Sequence, residues 1–182
     1  MTKLERIAVG SRLRRLFQNP YKLLASIELS SGHVFLDIGC GRGFLSLPAA
    51  SVVGEHGVVY AVDVKDDYLR EVERRAALLG MENIVTVKTR AEDLNGVPIQ
   101  SVDRAVFMLS LHHLEDIRLA FHQVRRRLKD DGLLMVFDTV ASRFFGHGTN
   151  PMEVINLLKQ ASFKPVFLKE GIMFWQAIAR AA

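Results

Sequence analysis

Asp37, Gly39, Gly41 and Gly43 stand on alternate positions within the run Val34-Phe35-Leu36-Asp37-Ile38-Gly39-Cys40-Gly41-Arg42-Gly43-Phe44. Apolar residues with one acid near their end, then spaced glycines, then Phe44-Leu45-Ser46-Leu47, read as a strand, a tight turn and a helix start. Glycine reaches positive φ and has no Cβ, so a ligand can come up against bare backbone. The helix behind the turn offers unpaired N–H groups and the positive end of its dipole, which suit a carboxylate or phosphate. The expected chemistry is capture of a nucleotide-like ligand. A dinucleotide is disfavoured: in the frame G-x-G-x-x-G the third glycine would fall on Phe44 counted from Gly39, and on Ser46 counted from Gly41.

Two further groups of residues carry chemistry. Asp63 ends the apolar run Val58-Val59-Tyr60-Ala61-Val62, with Val64 beside it. An acid at the tip of the second strand of a doubly wound sheet accepts hydrogen bonds from both ribose hydroxyls. The helix-cap alternative falls to Asp66 or Asp67, directly before the next helix. His112 and His113 close a later strand, where a histidine can take a proton from a reacting group. The plainer alternative is that one caps the following helix while the other is buried and hydrogen-bonded.

These residues need elements to position them. Residues 4–17 have loosely helical apolar spacing, Asn19-Pro20 stops that element, and residues 21–27 read as a second short helix, a candidate substrate lid. Leu69, Val72, Ala76 and Leu79 form the buried stripe of one helix, and Ile117, Phe121, Val124 and Leu128 that of another. Strands are expected at residues 83–88 and 103–111, and a fifth follows the turn Lys129-Asp130-Asp131-Gly132 and ends at Asp138. Residues 139–149 make a loop with Arg143, Phe144, Phe145 and His147, a place for acceptor specificity. Asn150-Pro151-Met152-Glu153 is a helix-capping signature, and residues 166–168 and 173–179 form a hairpin. Strand–helix alternation followed by a hairpin is an α/β sheet with an antiparallel end.

At 182 residues, with 49% hydrophobic and 24% charged residues, the chain is expected to form one globular domain. No apolar run approaches the ~18 residues of a membrane span, and the first residues lack a secretory h-region, so a cytoplasmic protein without membrane partners is expected. The lone Cys40 excludes an intramolecular disulfide and a multi-cysteine metal site, and no metal is expected. The net charge of +4 gathers at the start, in Lys3, Arg6, Arg12, Arg14, Arg15 and Lys22. Such a segment can attract RNA, an anionic substrate or a membrane surface; without interleaved aromatics a solvated helix face is favoured over nucleic-acid binding.

The D-x-G-x-G-x-G run resembles the first motif of the class I S-adenosylmethionine-dependent methyltransferases. The resemblance implies that Asp37 serves the methionine amino end, with Gly39, Cys40, Gly41 and Gly43 forming the cofactor turn and Asp63 and Val64 meeting the adenosine. Thr89-Arg90-Ala91-Glu92-Asp93-Leu94 lies where many members carry an acid-Ala-Glu-x-Leu pattern. Arg90 replaces the acid, which leaves the Ala91 N–H and the Glu92 side chain as adenine contacts. Residues 103–114 are similar to the Leu-His-His-Leu version of the fourth motif in small-molecule C- and O-methyltransferases. By that resemblance Leu109 and Ser110 line the cofactor near its sulfonium, and His113 is the candidate base. Residues 124–136 look like the family's R-x-L-K-x-x-G-x-L hallmark.

The fold implied is a Rossmann-like class I methyltransferase fold, α/β, a doubly wound seven-stranded sheet with a terminal antiparallel strand. Residues 1–30 would form a helical segment on a cofactor-binding core of residues 31–182. The activity implied is transfer of a methyl group from S-adenosylmethionine to a small-molecule acceptor. An Asn/Asp-Pro-Pro-aromatic motif is absent, which disfavours methylation of a base amino group. An RNA or protein methyltransferase using the basic segment, and a non-catalytic cofactor-binding scaffold, are the alternatives.

Overall fold

The structure, a computed structural model, describes residues 19–141 and 148–182. The helix expected over residues 4–17, the basic residues before Asn19, and the loop residues Arg143, Phe144, Phe145 and His147 lie outside the described residues. In chain order the elements are α1 (Pro20–Ser26), β1 (Val34–Ile38), α2 (Ser46–Val53), β2 (Val58–Asp63), α3 (Asp66–Leu78), β3 (Ile84–Lys88) and β4 (Val102–Met108). There follow a 3₁₀ turn (Leu111–His113), α4 (Ile117–Arg127), β5 (Leu128–Thr139), α5 (Pro151–Gln160), β6 (Phe163–Glu170) and β7 (Phe174–Ala181). None of the described helices is long and apolar enough to cross a membrane.

All seven strands join one sheet in the order β3-β2-β1-β4-β5-β7-β6. β1 pairs in parallel with β2 and β4, and β4 in parallel with β5, while β7 runs antiparallel between β5 and β6. Alternation along each strand divides the core between two faces. Phe35 packs with Leu24, Ile27, Leu45 and Met135 on one side of the sheet. Leu36 and Ile38 pack with Phe107, Phe121, Leu134 and Trp175 on the other. Burial on both faces explains the consecutive apolar residues Val34–Leu36 of β1 and Ala105–Met108 of β4. The chain passes from β1 outward to β2 and β3, then returns to β4 on β1's other flank. That reversal opens a crevice at the carboxyl ends of β1 and β4, where ligands bind in such sheets.

Local details depart from the sequence expectations in three places. α3 begins at Asp66 with Lys65 in the cap position, so Asp66 and Asp67 lie in the first turn rather than capping it. There they face the positive end of the helix dipole. The turn expected at residues 129–132 is part of β5, because Leu128 already pairs with Val102; the register slips before Arg104 meets Leu133, with Asp131 at φ 63°. Asp116, not a histidine, caps α4, accepting from the Leu119 N–H at 2.9 Å. At α1 and α5 the capping asparagines act as expected: Asn19 Oδ1 accepts from Tyr21 N at 3.0 Å, and Asn150 Oδ1 from Met152 N at 2.9 Å.

Candidate functional site

A cleft of about 1510 Å³ opens at the carboxyl ends of β1, β2 and β4. It is built outward from the glycine turn. Gly39 takes φ 72° and stands so close to the end of β4 that an added Cβ would lie 2.4 Å from the Ser110 Cβ. Ser110 is locked there by donating to the Ile38 carbonyl at 2.7 Å. Gly41 takes φ 54° and has no atom within 4 Å of where a Cβ would be, so its backbone faces the cleft uncovered. Only glycine supplies both conformations without strain.

Two buried carboxylates flank the turn. Asp37 is 2% exposed and accepts from the Ser46 hydroxyl at 2.6 Å, which ties the end of β1 to the first residue of α2. Asp63 accepts from the Gly41 N–H at 2.9 Å through Oδ2 and from the Lys65 N–H at 3.0 Å through Oδ1. A carboxylate oxygen accepts more than one bond, so both Asp63 oxygens keep acceptor capacity toward the cleft. Cys40 lies between these acids; burial first, then Asp37 and Asp63, push its thiol far above the ordinary range. It stays protonated and is no nucleophile.

The other predicted residues fall as follows. Val64, Ala91, Leu109 and His113 all line the cleft. Leu109 is held at φ 53°, strained for a residue with a Cβ, and its N–H donates to the Phe137 carbonyl at 2.8 Å. Glu92 also lines the cleft, but its Oε1 already accepts from the N–H groups of Glu115 at 3.2 Å and Asp116 at 3.4 Å, pinning the approach to α4. Burial would raise its carboxyl; bonds from backbone N–H groups and Arg90 prevail and hold it below the usual carboxylate value. Arg90, the departure from the family pattern, donates to Glu115 at 2.7 Å. Gly43 is not among the lining residues. A Cβ there would press on Val72 and Leu47 at 3.2 and 3.3 Å, so it serves helix packing behind the turn.

Sequence reasoning missed a second wall. Tyr68, Glu71 and Arg75 line the cleft from one face of α3, with the Arg42 guanidinium 5.1 Å and the Lys65 ammonium 5.0 Å from the Tyr68 ring centre. Arg75 donates to the Arg42 carbonyl at 2.7 Å, fastening α3 to the glycine turn. The spacing i, i+3, i+7 was the available signal: it is the stripe next to the buried Leu69, Val72 and Ala76. Also missed was Asp138, fully buried at the end of β5, whose Oδ1 lies 2.6 Å from His112 Nδ1.

A family model described as a methyltransferase domain matches residues 29–171. Among curated proteins, the chain is 35% identical over 95 residues to an aklanonic acid methyltransferase of a Streptomyces species, covering 52% of this chain and 43% of that protein. It is 28% identical over 141 residues to a probable cobalt-precorrin-6B C(15)-methyltransferase (decarboxylating) of Sulfurisphaera tokodaii, covering 72% and 71%. The chain thus spans less than half the length of the first of these relatives. A solved S-adenosylmethionine-dependent methyltransferase from Aquifex aeolicus superposes with a TM-score of 0.87 over 100% of both chains at 23% identity, a likeness of fold.

Proposed function

This chain belongs to the class I S-adenosylmethionine-dependent methyltransferases, and from that premise we propose that it transfers the cofactor's methyl group to a small-molecule acceptor. S-adenosylmethionine supplies an electrophilic methyl on a sulfonium and presents an ammonium, a ribose diol and an adenine along its length. The residues fit that order. The buried Asp37 carboxylate answers the ammonium, and Gly39, Cys40 and Gly41 give the bare turn over which the chain of the ligand passes. Asp63 takes the diol, and Val64, Ala91 and Glu92 surround the base, with Leu109 and Ser110 next to the reacting end. The observation that carries this reading is Asp63: the Gly41 and Lys65 N–H groups fix its carboxylate while leaving acceptor capacity for two hydroxyls.

Transfer is an in-line displacement in which holding acceptor and methyl in line provides much of the acceleration. This chain's part is to bind, orient and exclude water. A small-molecule acceptor is supported by the names of the curated relatives, an aklanonic acid methyltransferase and a probable cobalt-precorrin-6B C(15)-methyltransferase. Calorimetric titration with S-adenosylhomocysteine, with NAD as control, tests the cofactor assignment: binding of the first alone is the expected result. A screen of small molecules with labelled methyl groups then tests the acceptor class, and labelling of RNA or protein in place of metabolites would overturn it.

A further inference from the structure

Arg127, the last residue of α4, is a cation at 6% exposure with no carboxylate partner among the described residues. Its guanidinium is spent on neutral acceptors. Nη1 donates to the Gln123 side-chain oxygen one turn back, and Nη2 donates to the Asp93 carbonyl at 2.9 Å and the Leu94 carbonyl at 3.2 Å. Nε, buried as well, has no hydrogen-bond partner among the described residues. Burial lowers the pKa of this group, yet a guanidinium remains charged. A leucine or methionine would fill this place in the core without the cost of burying a charge. Packing alone therefore does not account for Arg127.

What the guanidinium holds is a turn that carries part of the cleft wall. Ala91 and Glu92 line the cleft, and the turn closes behind them as the N–H groups of Asp93 and Leu94 donate to the Arg90 carbonyl at 3.1 and 2.9 Å. Leu94 then takes φ 49°, strained for a residue with a Cβ. α4 grips this turn at both of the helix's ends. The N–H groups of Glu115 and Asp116, just before its first turn, bind the Glu92 carboxylate, and Arg127 at its close binds the two carbonyls. Ahead of those grips stands Ala91, 5% exposed, whose N–H donates to no atom among the described residues. A buried backbone donor is ordinarily paired, and the cleft is where this one can meet an acceptor.

We propose that Arg127 is a positioning residue for recognition of the cofactor's adenine, acting through the turn of residues 90–94. The inference rests on the methyltransferase reading above. Arg127 touches no ligand; it fixes the strained turn, and the turn fixes the direction of the Ala91 N–H. Adenine offers its N1 as an unprotonated acceptor, whereas hypoxanthine carries a proton there and sets donor against donor. A firmly held N–H separates the two bases, while a loose turn lets it swing aside and loses the distinction. The charge has a part in this, because a cation holds two carbonyls more firmly than a neutral donor does. In the sequence Arg127 is one of three consecutive arginines at a helix end, where cations ordinarily serve the dipole.

The test uses the full chain and calorimetric titration with two ligands: S-adenosylhomocysteine, and S-inosylhomocysteine, in which oxygen replaces the adenine amino group and N1 is protonated. The parent should favour the first by about tenfold or more. Arg127→Met should weaken S-adenosylhomocysteine by about tenfold and leave S-inosylhomocysteine nearly unchanged, so that the preference collapses. Arg127→Lys, which keeps the charge, should restore part of it. Gln123→Met, which removes only the support of Nη1, should lower it by a smaller factor, and these two variants decide the matter if Arg127→Met does not fold. Trp175→Phe, weakened in the core through β7, should keep the parent's preference. Equal weakening of both ligands, a preference unmoved by the substitutions at residues 123 and 127, or a parent that binds both ligands alike would each overturn the proposal. A parent that binds neither would overturn the cofactor reading, and the proposal falls with it.

Discussion

The two flanks of the glycine turn both bury acids at strand ends, yet they satisfy them by different means. On the β1–β2 flank, Asp63 is met by backbone N–H groups, one of them only two residues on in the chain. Asp37 is met by a hydroxyl nine residues away. On the β4–β5 flank, Asp138 is met by His112 from the turn after β4, Thr149 from beyond the loop and, through Thr149, Trp175 from β7. The first flank is a local device built from a strand, a turn and the helix after it. The second exists only once four separate segments have assembled. A ligand site of the first kind is fixed by short-range geometry, while one of the second kind is fixed by tertiary packing.

The largest effect should come from the joint between the flanks. Gly39→Val places side-chain atoms into Ser110 and forces a β-branched residue to φ 72°, so a loss of about 3 kcal/mol or more in chemical denaturation is expected, together with cofactor binding. Gly41→Ala meets no atom and should cost only about 1 kcal/mol for its backbone angle. If the two glycines proved equally sensitive, the close approach of β1 to β4 would not be what holds the flanks in register.

Next comes the separation of binding from packing. Asp63→Ala should weaken S-adenosylhomocysteine by about 1–3 kcal/mol in calorimetry through loss of charge-assisted bonds. Trp175→Phe should lower stability by about 1 kcal/mol through the lost bond to Thr149 and leave that affinity in place. A Trp175→Phe variant that lost affinity like Asp63→Ala would show that the flanks are coupled rather than independent.

The smallest effect concerns pH. Glu92 titrates below the ordinary carboxyl value of 4.5, so its contribution is fully present above that value and is lost as pH falls through its lower folded value. Glu92→Gln should therefore flatten the acid limb of the stability profile and leave neutral pH little changed. An unaltered acid limb would place the carboxylate's hydrogen bonds among those of no net consequence.

The same contrast decides how much could be read from the sequence. The glycine turn, Asp37, Asp63 and Ala91-Glu92 were legible because each falls at a fixed offset from a strand end, and the structure gathers Asp37, Asp63, Ala91 and Glu92 in one cleft. The parallel sheet with its antiparallel end was legible from strand–helix alternation and the final hairpin. Gly43 shares the motif's spacing but not its place on the cleft, since spacing along a turn does not say which way each residue faces. Asp138 read as nothing more than the end of a strand. Its partners lie 26 and 11 residues away, a distance at which no periodicity connects them. Arg75 and Tyr68 were hidden for a different reason: they belong to the polar side of an amphipathic helix, which is ordinarily given to solvent.

The antiparallel placement of β7 has a bearing on how the chain reaches this state. β5 ends at Thr139, but the strand that covers its outer edge starts only at Phe174, after α5 and β6. As the polypeptide leaves the ribosome, a twelve-residue strand with the apolar stretch Leu133–Phe137 is complete while the N–H and C=O groups of one edge have nothing to bond. That interval is the period of greatest exposure to misassembly and to chaperones. A chain cut before residue 174 would keep the whole glycine turn and both of its acids, yet present β5 as a sticky border and collect in inclusion bodies.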